Sequence, residues 1–91
     1  MPNGDISLGH IVISSAGRDA NHAYVVLGWY KPQTLLVADG RGRKVVSPKK
    51  KNVKHAKRHS IANSLTEALL SGVKVTDEQL RQALAHCEAT R

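Results

Sequence analysis

Cationic side chains are concentrated in residues 41–59, which we call the basic segment. It contains nine Lys or Arg residues and no Asp or Glu, whereas the whole chain has 14 basic and 7 acidic residues. Nearly all of the formal net charge of +7 therefore comes from this segment. A positive field focused in this way favours a polyanionic partner, either nucleic acid or an anionic membrane surface. A solubilising surface is the alternative, although such surfaces usually mix charges of both signs.

Recognition of RNA by a small domain requires cations for the phosphates, a rigid frame, and polar or planar groups for bases and sugars. Arg41 and Arg43 lie in a Gly-flanked turn, where their guanidinium groups could contact phosphates with forked geometry. Asn52 and His55 could bond 2′-hydroxyls or base edges, or could make only local hydrogen bonds, and both interpretations stay open.

For the other side chains that could stack, bind a metal or act as a nucleophile, structural roles are the favoured interpretation. Trp29 and Tyr30 could stack on bases, but in a small protein such aromatics more often cover the core, and we expect them to do so. His55 and His59 have a metal-ligand spacing only on one helix, and the cations around them would repel a metal ion. Cys87 fits an apolar helix stripe, which favours packing. No nucleophile, base and acid assemble into a recognisable set, so we expect no enzyme activity, no cofactor and no metal.

Short strands must position the basic segment. Turn-forming residues separate apolar, β-branched stretches, and the connections are too short for parallel crossovers. The sequence therefore predicts a mostly-β fold, a small antiparallel barrel of about five strands. Strands are predicted at residues 8–15, 22–30, 34–39 and 44–48, with a fifth at 52–56. The core candidates are Ile11, Ile13, Val25, Leu27, Leu35, Val37, Val45 and Val53.

The apolar period changes from two to about four after His59, which predicts a pair of C-terminal α-helices. In the first helix Ser60 is the expected N-cap and Gly72 the stop. The second helix opens with a capping box between Thr76 and Gln79. The sequence thus divides into a barrel with a basic edge at 1–59 and a helical extension at 60–91.

Composition also restricts the cellular setting. The single cysteine cannot form an internal disulfide, which suits a reducing compartment. The start "MPNGDISLGH" lacks a charged n-region and an apolar h-region, so we expect no secretory signal. The longest apolar stretch is far shorter than a membrane span. These features predict a cytoplasmic protein without a membrane partner.

An ordered set of short motifs resembles a known family. The stretches "GHIVISSAGRDANHAYVVLG" and "LLVADGRGRKVVSPKKKNVKHA" are similar to the KOW motif of small RNA-binding proteins. The resemblance covers roughly residues 8–56 and is greatest to bacterial KOW-domain proteins related to archaeal and eukaryotic large-subunit ribosomal proteins. Many KOW motifs close the first loop with Gly, whereas this chain has Asn21. Asn tolerates positive φ better than other non-Gly residues, so we expect positive φ there.

The resemblance implies an SH3-like barrel whose loops and basic edge contact RNA, often ribosomal RNA of the large subunit or the whole ribosome. In the first loop Arg18 is then the only cation. Ribosomal proteins are further expected partners, through the C-terminal helices. The alternatives are a KOW-type protein-interaction module of the transcription or translation machinery, and a sequence-tolerant DNA binder. The candidate RNA-binding residues are Arg18, Arg41, Arg43, Lys44, Lys49, Lys50, Lys51, Asn52, Lys54, His55, Lys57 and Arg58.

Overall fold

Five antiparallel strands precede two helices in the computed structural model, which describes residues 6–15 and 20–88. This confirms the predicted mostly-β class with its helical pair. The strands are β1 (His10–Ser14), β2 (Ala23–Lys31), β3 (Thr34–Ala38), β4 (Lys49–Asn52) and β5 (Ala56–Ile61). A 3-10 turn, Val53–His55, joins β4 to β5, and the helices are α1 (Asn63–Leu70) and α2 (Asp77–Glu88).

The strands form one sheet in the order β4-β3-β2-β1-β5. Successive hairpins build β1 to β4, and the chain then crosses to place β5 beside β1. The register of β5 shifts between Ile11, opposite Ser60, and Val12, opposite Arg58, which marks a bulge. No ladder joins β4 to β5 within the described ranges, so the sheet is not closed into a barrel by backbone pairing.

The last two predicted strands are wrong. Residues 44–48 are turns and bends, and the fourth strand is instead "KKKN", which pairs with β3 from Val37↔Lys49 to Thr34↔Asn52. The predicted strand at 52–56 is replaced by the 3-10 turn. The Asn52 side chain accepts a hydrogen bond from the backbone N–H of Lys54 at 2.9 Å, which favours the turn over a ladder.

The sheet is covered on both faces, which explains why consecutive residues such as Ile11 and Val12 in β1, and Val25 and Val26 in β2, are buried. Of the predicted core, five residues are buried and three (Ile13, Leu27 and Val45) are partly exposed. The interior cluster contains Ile6, Val12, Tyr24, Val26, Leu35, Val37, Val53 and Ala56. The helix-side cluster contains Ile11, Val25, Ala38, Leu65, Val75, Leu80 and Leu84.

Helix α1 lies close against the start of β1. Gly9 has φ +81°, and a Cβ there would collide with the backbone and hydroxyl of Thr66. The Thr66 hydroxyl donates to the carbonyl of Leu8 at 2.9 Å. Ser60 is not the N-cap, because pairing with Ile11 keeps it in β5 and the helix begins only at Asn63. Gly72, with φ +80°, follows the helix as predicted.

Helix α2 begins with the predicted capping box. The backbone N–H of Thr76 donates to Gln79 Oε1 at 2.8 Å, and the N–H of Gln79 donates to Thr76 Oγ1 at 3.2 Å. Leu80 and Leu84 are buried against the sheet. The predicted packing of Cys87 falls on a side chain that is not among those the structure describes. The helices thus share a core with the strands, and the division at residue 59 stays a prediction.

The turn before β2 has the backbone expected from the sequence. Asn21 has φ 72°, which confirms the predicted positive value. Its N–H donates to the carbonyl of Ser14 at 2.7 Å, and the N–H of Ser14 donates to the carbonyl of His22 at 2.9 Å. Arg18 lies outside the described residues.

Candidate nucleic-acid interface

Most of the predicted site residues present their side chains to solvent. They occupy the loop at residues 40–47, which we call the basic loop, and then β4, the 3-10 turn and β5. Residues 40–66 contain no Asp or Glu that could neutralise them. The exposed members are Arg41, Arg43, Lys44, Lys50, Asn52, Lys54, His55, Lys57 and Arg58, and Lys49 is partly exposed.

The buried carboxylate of Asp39 forms hydrogen bonds with the backbone of the basic loop. One Asp39 oxygen, Oδ1, accepts hydrogen bonds from the backbone N–H groups of Arg41 at 2.8 Å and Arg43 at 3.0 Å. The other, Oδ2, lies 2.6 Å from Nε2 of His22. Burial alone would raise the pKa of Asp39, but these hydrogen bonds and the nearby imidazole hold the pKa below its ordinary value of 3.8. Asp39 therefore binds the backbone of the basic loop and leaves the guanidinium groups of Arg41 and Arg43 exposed to solvent.

Helix α2 fixes the same loop from the other side. Asp77 Oδ1 accepts from the N–H of Val45 at 2.7 Å, and Arg81 Nη1 donates to the carbonyl of Gly40 at 2.6 Å. Gly40 has φ +76°, and a Cβ there would collide with the backbone of Asp77. Sequence reasoning missed Asp39 and Arg81. The "DG" pair at the end of β3 was an available signal for the turn, whereas nothing local points to Arg81.

Lysines on β4 lie over aromatic rings. Lys50 Nζ is 4.1 Å from the ring centroid of Tyr30, and Lys49 Nζ is 5.8 Å from that of Tyr24. Trp29 is 41% exposed and Tyr30 55% exposed, so the expectation that they cover the core is wrong. The last three residues of β2 are exposed. Cations and planar groups therefore occur together on this edge.

Lys51 has a different position from the other lysines of the run. It is only 8% exposed, and its Nζ donates to Ser14 Oγ at 3.0 Å. It stands opposite Leu35 in the ladder, on the face that forms the interior cluster. In this conformation Lys51 does not belong to the exposed basic surface. The alternation of a strand explains the difference, because it turns Lys50 outward.

The 3-10 turn anchors the segment, although not as a strand. Val53 is buried in the interior cluster, as predicted, and its N–H donates to the carbonyl of Gln33 at 3.1 Å. The carbonyl of His55 accepts from the N–H of Ser15 at 2.9 Å. The Asn52 carboxamide is engaged locally with Lys54. Lys54 and His55 remain exposed on a backbone held at both ends.

Strand β5 carries Lys57 and Arg58 along the edge of the sheet. They stand opposite Ile13 and Val12 in the ladder with β1, so their backbone is ordered by pairing. Both side chains are exposed. His59 also belongs to β5, and it is therefore not on one helix with His55. The basic segment is thus fixed by two strands, a 3-10 turn and a clamped loop.

No protein-family model matches this chain, and a comparison with curated proteins likewise found no match. Among the described residues, neither α1 nor α2 is long and apolar enough to cross a membrane.

Proposed function

We propose that this protein is a non-enzymatic, cytoplasmic RNA-binding protein of the KOW type, with ribosomal RNA as its partner. The proposed interface is the exposed part of the basic segment together with the end of β2. Binding would be mainly electrostatic, through lysine and arginine contacts to phosphates. Neither a metal nor a cofactor takes part.

The observation that carries the proposal is the combination of ordered cations with exposed aromatic rings. Lys50 Nζ lies 4.1 Å from the Tyr30 ring centroid, and the Tyr30 side chain is 55% exposed. Unpaired nucleotides are bound by cations that contact the backbone and by aromatic faces on which bases stack. A solubilising surface needs neither a clamped loop nor exposed aromatic rings. The ribosomal partner rests on the resemblance to KOW proteins.

The test removes charge from exposed or partly exposed positions only. A triple variant, Lys49→Gln, Lys50→Gln and Lys54→Gln, keeps length and polarity and leaves the buried Lys51 in place. We expect RNA affinity to fall strongly at moderate salt. The slope of log affinity against log salt should flatten by roughly 0.7–0.9 for each lost phosphate contact. Filter binding across a salt series measures both quantities.

A matched control is Lys74→Gln, which removes an exposed charge in the α1–α2 connection. It should leave affinity and slope unchanged. If the triple variant remains folded and retains both wild-type values, the basic segment is a solubilising surface. Competition between RNA and DNA of the same sequence tests the DNA-binding alternative, because the 2′-hydroxyl distinguishes them. Sedimentation of cell lysate shows whether the protein travels with the large subunit, and a salt wash shows how electrostatic that attachment is.

A separate surface favours protein docking as a second candidate function. An apolar groove of about 720 Å³ lies between the basic loop, the sheet and the α1–α2 connection. Val46 is 86% exposed and Val73 58% exposed beside it. Exposed apolar patches of this kind mark interaction sites. The groove is lined by side chains that include Leu27, Leu36, Val45, Pro48 and Leu69.

Charge selects the occupant of the apolar groove. Lys74 lines it, and Lys50 stands opposite the lining residue Leu36 in the β3–β4 ladder. The acidic lining residue Asp77 already accepts a hydrogen bond from Val45. A second copy would place one net charge of +7 against another. We therefore assign the groove to an apolar segment flanked by acidic residues, as a ribosomal protein could supply.

A photo-crosslinking residue at position 73 tests this assignment. In cells it should attach to a protein segment that has apolar residues between Asp or Glu. Crosslinks to RNA or to a second copy of the chain would contradict the assignment.

A further inference from the structure

A second concave site lies at the start of α1, whereas the apolar groove lies at its end. The cavity, which we call the β5–helix cavity, has a volume of about 610 Å³ and is bounded by β5, the start of α1 and one face of α2. This volume is within the range of small-molecule sites, roughly 300–1,000 Å³. Ile11 and Leu65, both buried, and the partly buried Ala83 supply apolar lining.

The rest of the lining is polar but carries no permanent charge. None of the described lining residues is Asp, Glu, Lys or Arg. Carboxamides come from Asn63, Gln79 and Gln82, and imidazoles from His59 and His86. Gln79 is committed to the capping box, and Gln82 donates to Glu78 at 3.3 Å. Within the described part of the chain, the carboxamide of Asn63 makes no hydrogen bond.

This lining defines the chemistry of a suitable ligand. Apolar side chains fit a flat, poorly hydrated surface, whereas carboxamides and imidazoles bond to a mixed set of donors and acceptors. A phosphate or carboxylate would find no cation within the lining itself. A nucleobase has both required features, a π face and an edge of donors and acceptors.

The position of the cavity relative to the basic surface supports the same ligand. His59 and Ser60, which line it, directly follow Lys57 and Arg58 on β5. Successive residues along a strand are about 3.3 Å apart, so the exposed cations lie within one nucleotide's reach of the lining. A chain whose phosphates contact β5 could therefore place one base in the cavity.

We propose that the β5–helix cavity binds one unstacked nucleobase, contributed by the RNA whose backbone lies along β5. This inference rests on the proposed RNA-binding function and adds a base-recognition site to it. Asn63 and Gln82 bond the edge of the base, and Ile11 and Leu65 contact its face.

The test uses the full chain and two kinds of ligand. In the first arm, each of the four ribonucleoside 5′-monophosphates is titrated at millimolar concentration into ¹⁵N-labelled protein. Amide resonances of Asn63, Ser64 and Ala83 should shift, and a double variant, Asn63→Ala with Gln82→Ala, should abolish those shifts. Both side chains are exposed, so the fold should survive the change.

In the second arm, the double variant should bind RNA roughly ten-fold or more weakly, with the wild-type salt slope, because it loses contacts to a base and none to phosphates. A matched control, Gln33→Ala, removes an exposed carboxamide from the β2–β3 turn and should bind like wild type. If the double variant binds RNA as wild type does, the cavity assignment is overturned and the proposed function still stands. If the wild-type chain binds no RNA, the proposed function fails, and absence of cavity shifts in the first arm then overturns the cavity too.

Discussion

Lys51 Nζ lies 3.0 Å from Ser14 Oγ, and this bond reaches from β4 to β1 across the interior of the fold. The described ladders leave β4 and β5 as the two edges of the sheet. Next to the bond, the N–H of Ser15 donates to the carbonyl of His55 in the 3-10 turn. Side-chain and turn contacts therefore hold together the side of the molecule where strand pairing does not.

Lys51 should matter for stability rather than for binding. Lys51→Met keeps most of the side-chain volume but removes the donor to Ser14, which is 1% exposed. Loss of a hydrogen bond to a charged group costs about 1.5–3 kcal/mol, so the free energy of unfolding should fall by about that amount. Urea denaturation measures it.

Lys50→Met is the matched control, because Lys50 is the residue next to Lys51 in β4 and its side chain is exposed. It should change stability little and weaken RNA binding. If Lys51→Met instead keeps its stability and binds RNA more weakly, Lys51 belongs to the RNA interface.

The alternation that separates Lys50 from Lys51 could not be recognised in advance. The stretch "KKKN" contains no apolar residue, so no hydrophobic pattern marks it as a strand or distinguishes its two faces. Its pairing with β3 defines it. By contrast, β1, β2 and β3 begin and end within about two residues of their predicted limits, because their apolar residues are bounded by turn residues.

Asp39 should make stability depend on pH in the acid range. Its pKa is lower in the folded chain than its ordinary value of 3.8, so the folded state favours the carboxylate. The resulting stabilisation is fully present above the unfolded-state pKa and is lost as the pH falls through the folded-state value. Asp39→Asn should therefore be destabilised at neutral pH by about 1.5–3 kcal/mol, the scale of a hydrogen bond to a charged group.

The difference between wild type and Asp39→Asn should shrink as the pH falls below the ordinary value of 3.8 and through the lower folded-state pKa, where the wild-type carboxylate becomes protonated. Chemical denaturation at a series of pH values measures it. A difference that stays constant down to pH 2 or so would assign the effect of the substitution to geometry rather than to charge.

The sheet and the helices should unfold together. Leu80 is completely buried in the helix-side cluster with Ile11 and Val25 of the sheet. Leu80→Ala should lower the free energy of unfolding by about 2–5 kcal/mol. Trp29 fluorescence reports on the sheet and far-ultraviolet circular dichroism on the helices. The two transitions should coincide in wild type and in the variant, whereas separate transitions would support two independent units divided at residue 59.

Asn21→Gly should be neutral or stabilise the fold by a few tenths of a kcal/mol, because φ 72° suits Gly at least as well as Asn. Asn21→Ala should be destabilising by about 1 kcal/mol, because Ala keeps the Cβ in the left-handed region but lacks the carboxamide with which Asn can bond locally. Thermal unfolding compares the three chains. Marked loss of stability in the Gly variant would show that the Asn side chain itself is needed.

The long-range contacts of the site could not be predicted from the sequence. Arg81 and Gly40 are 41 positions apart, yet a 2.6 Å hydrogen bond joins them. No local pattern predicts which helix residue meets which loop, because the meeting depends on how α2 packs over the sheet. The positive φ of Asn21 and the capping box of α2 were predictable since both are set by residues within one turn.

Tyr30 should contribute to RNA binding through its ring and not through charge. Its side chain is 55% exposed, with Lys50 Nζ 4.1 Å from the ring centroid, so a base could stack beside the cation. Tyr30→Leu keeps an apolar side chain and removes the π face, and it should weaken binding by about 1–3 kcal/mol, the scale of one stacked base. Tyr30→Phe retains the face and should bind nearly as wild type does.

The salt slope separates this role from that of the lysines. Because Tyr30→Leu removes no phosphate contact, its log affinity should run parallel to that of wild type across a salt series, whereas Lys50→Gln should flatten the slope. Filter binding with an unpaired RNA oligonucleotide measures both variants under identical conditions. If Tyr30→Leu and Tyr30→Phe weaken binding equally, the hydroxyl and not the ring is the contact. If neither weakens it, the aromatic end of β2 lies outside the RNA interface, which is then restricted to the basic loop, β4, the 3-10 turn and β5.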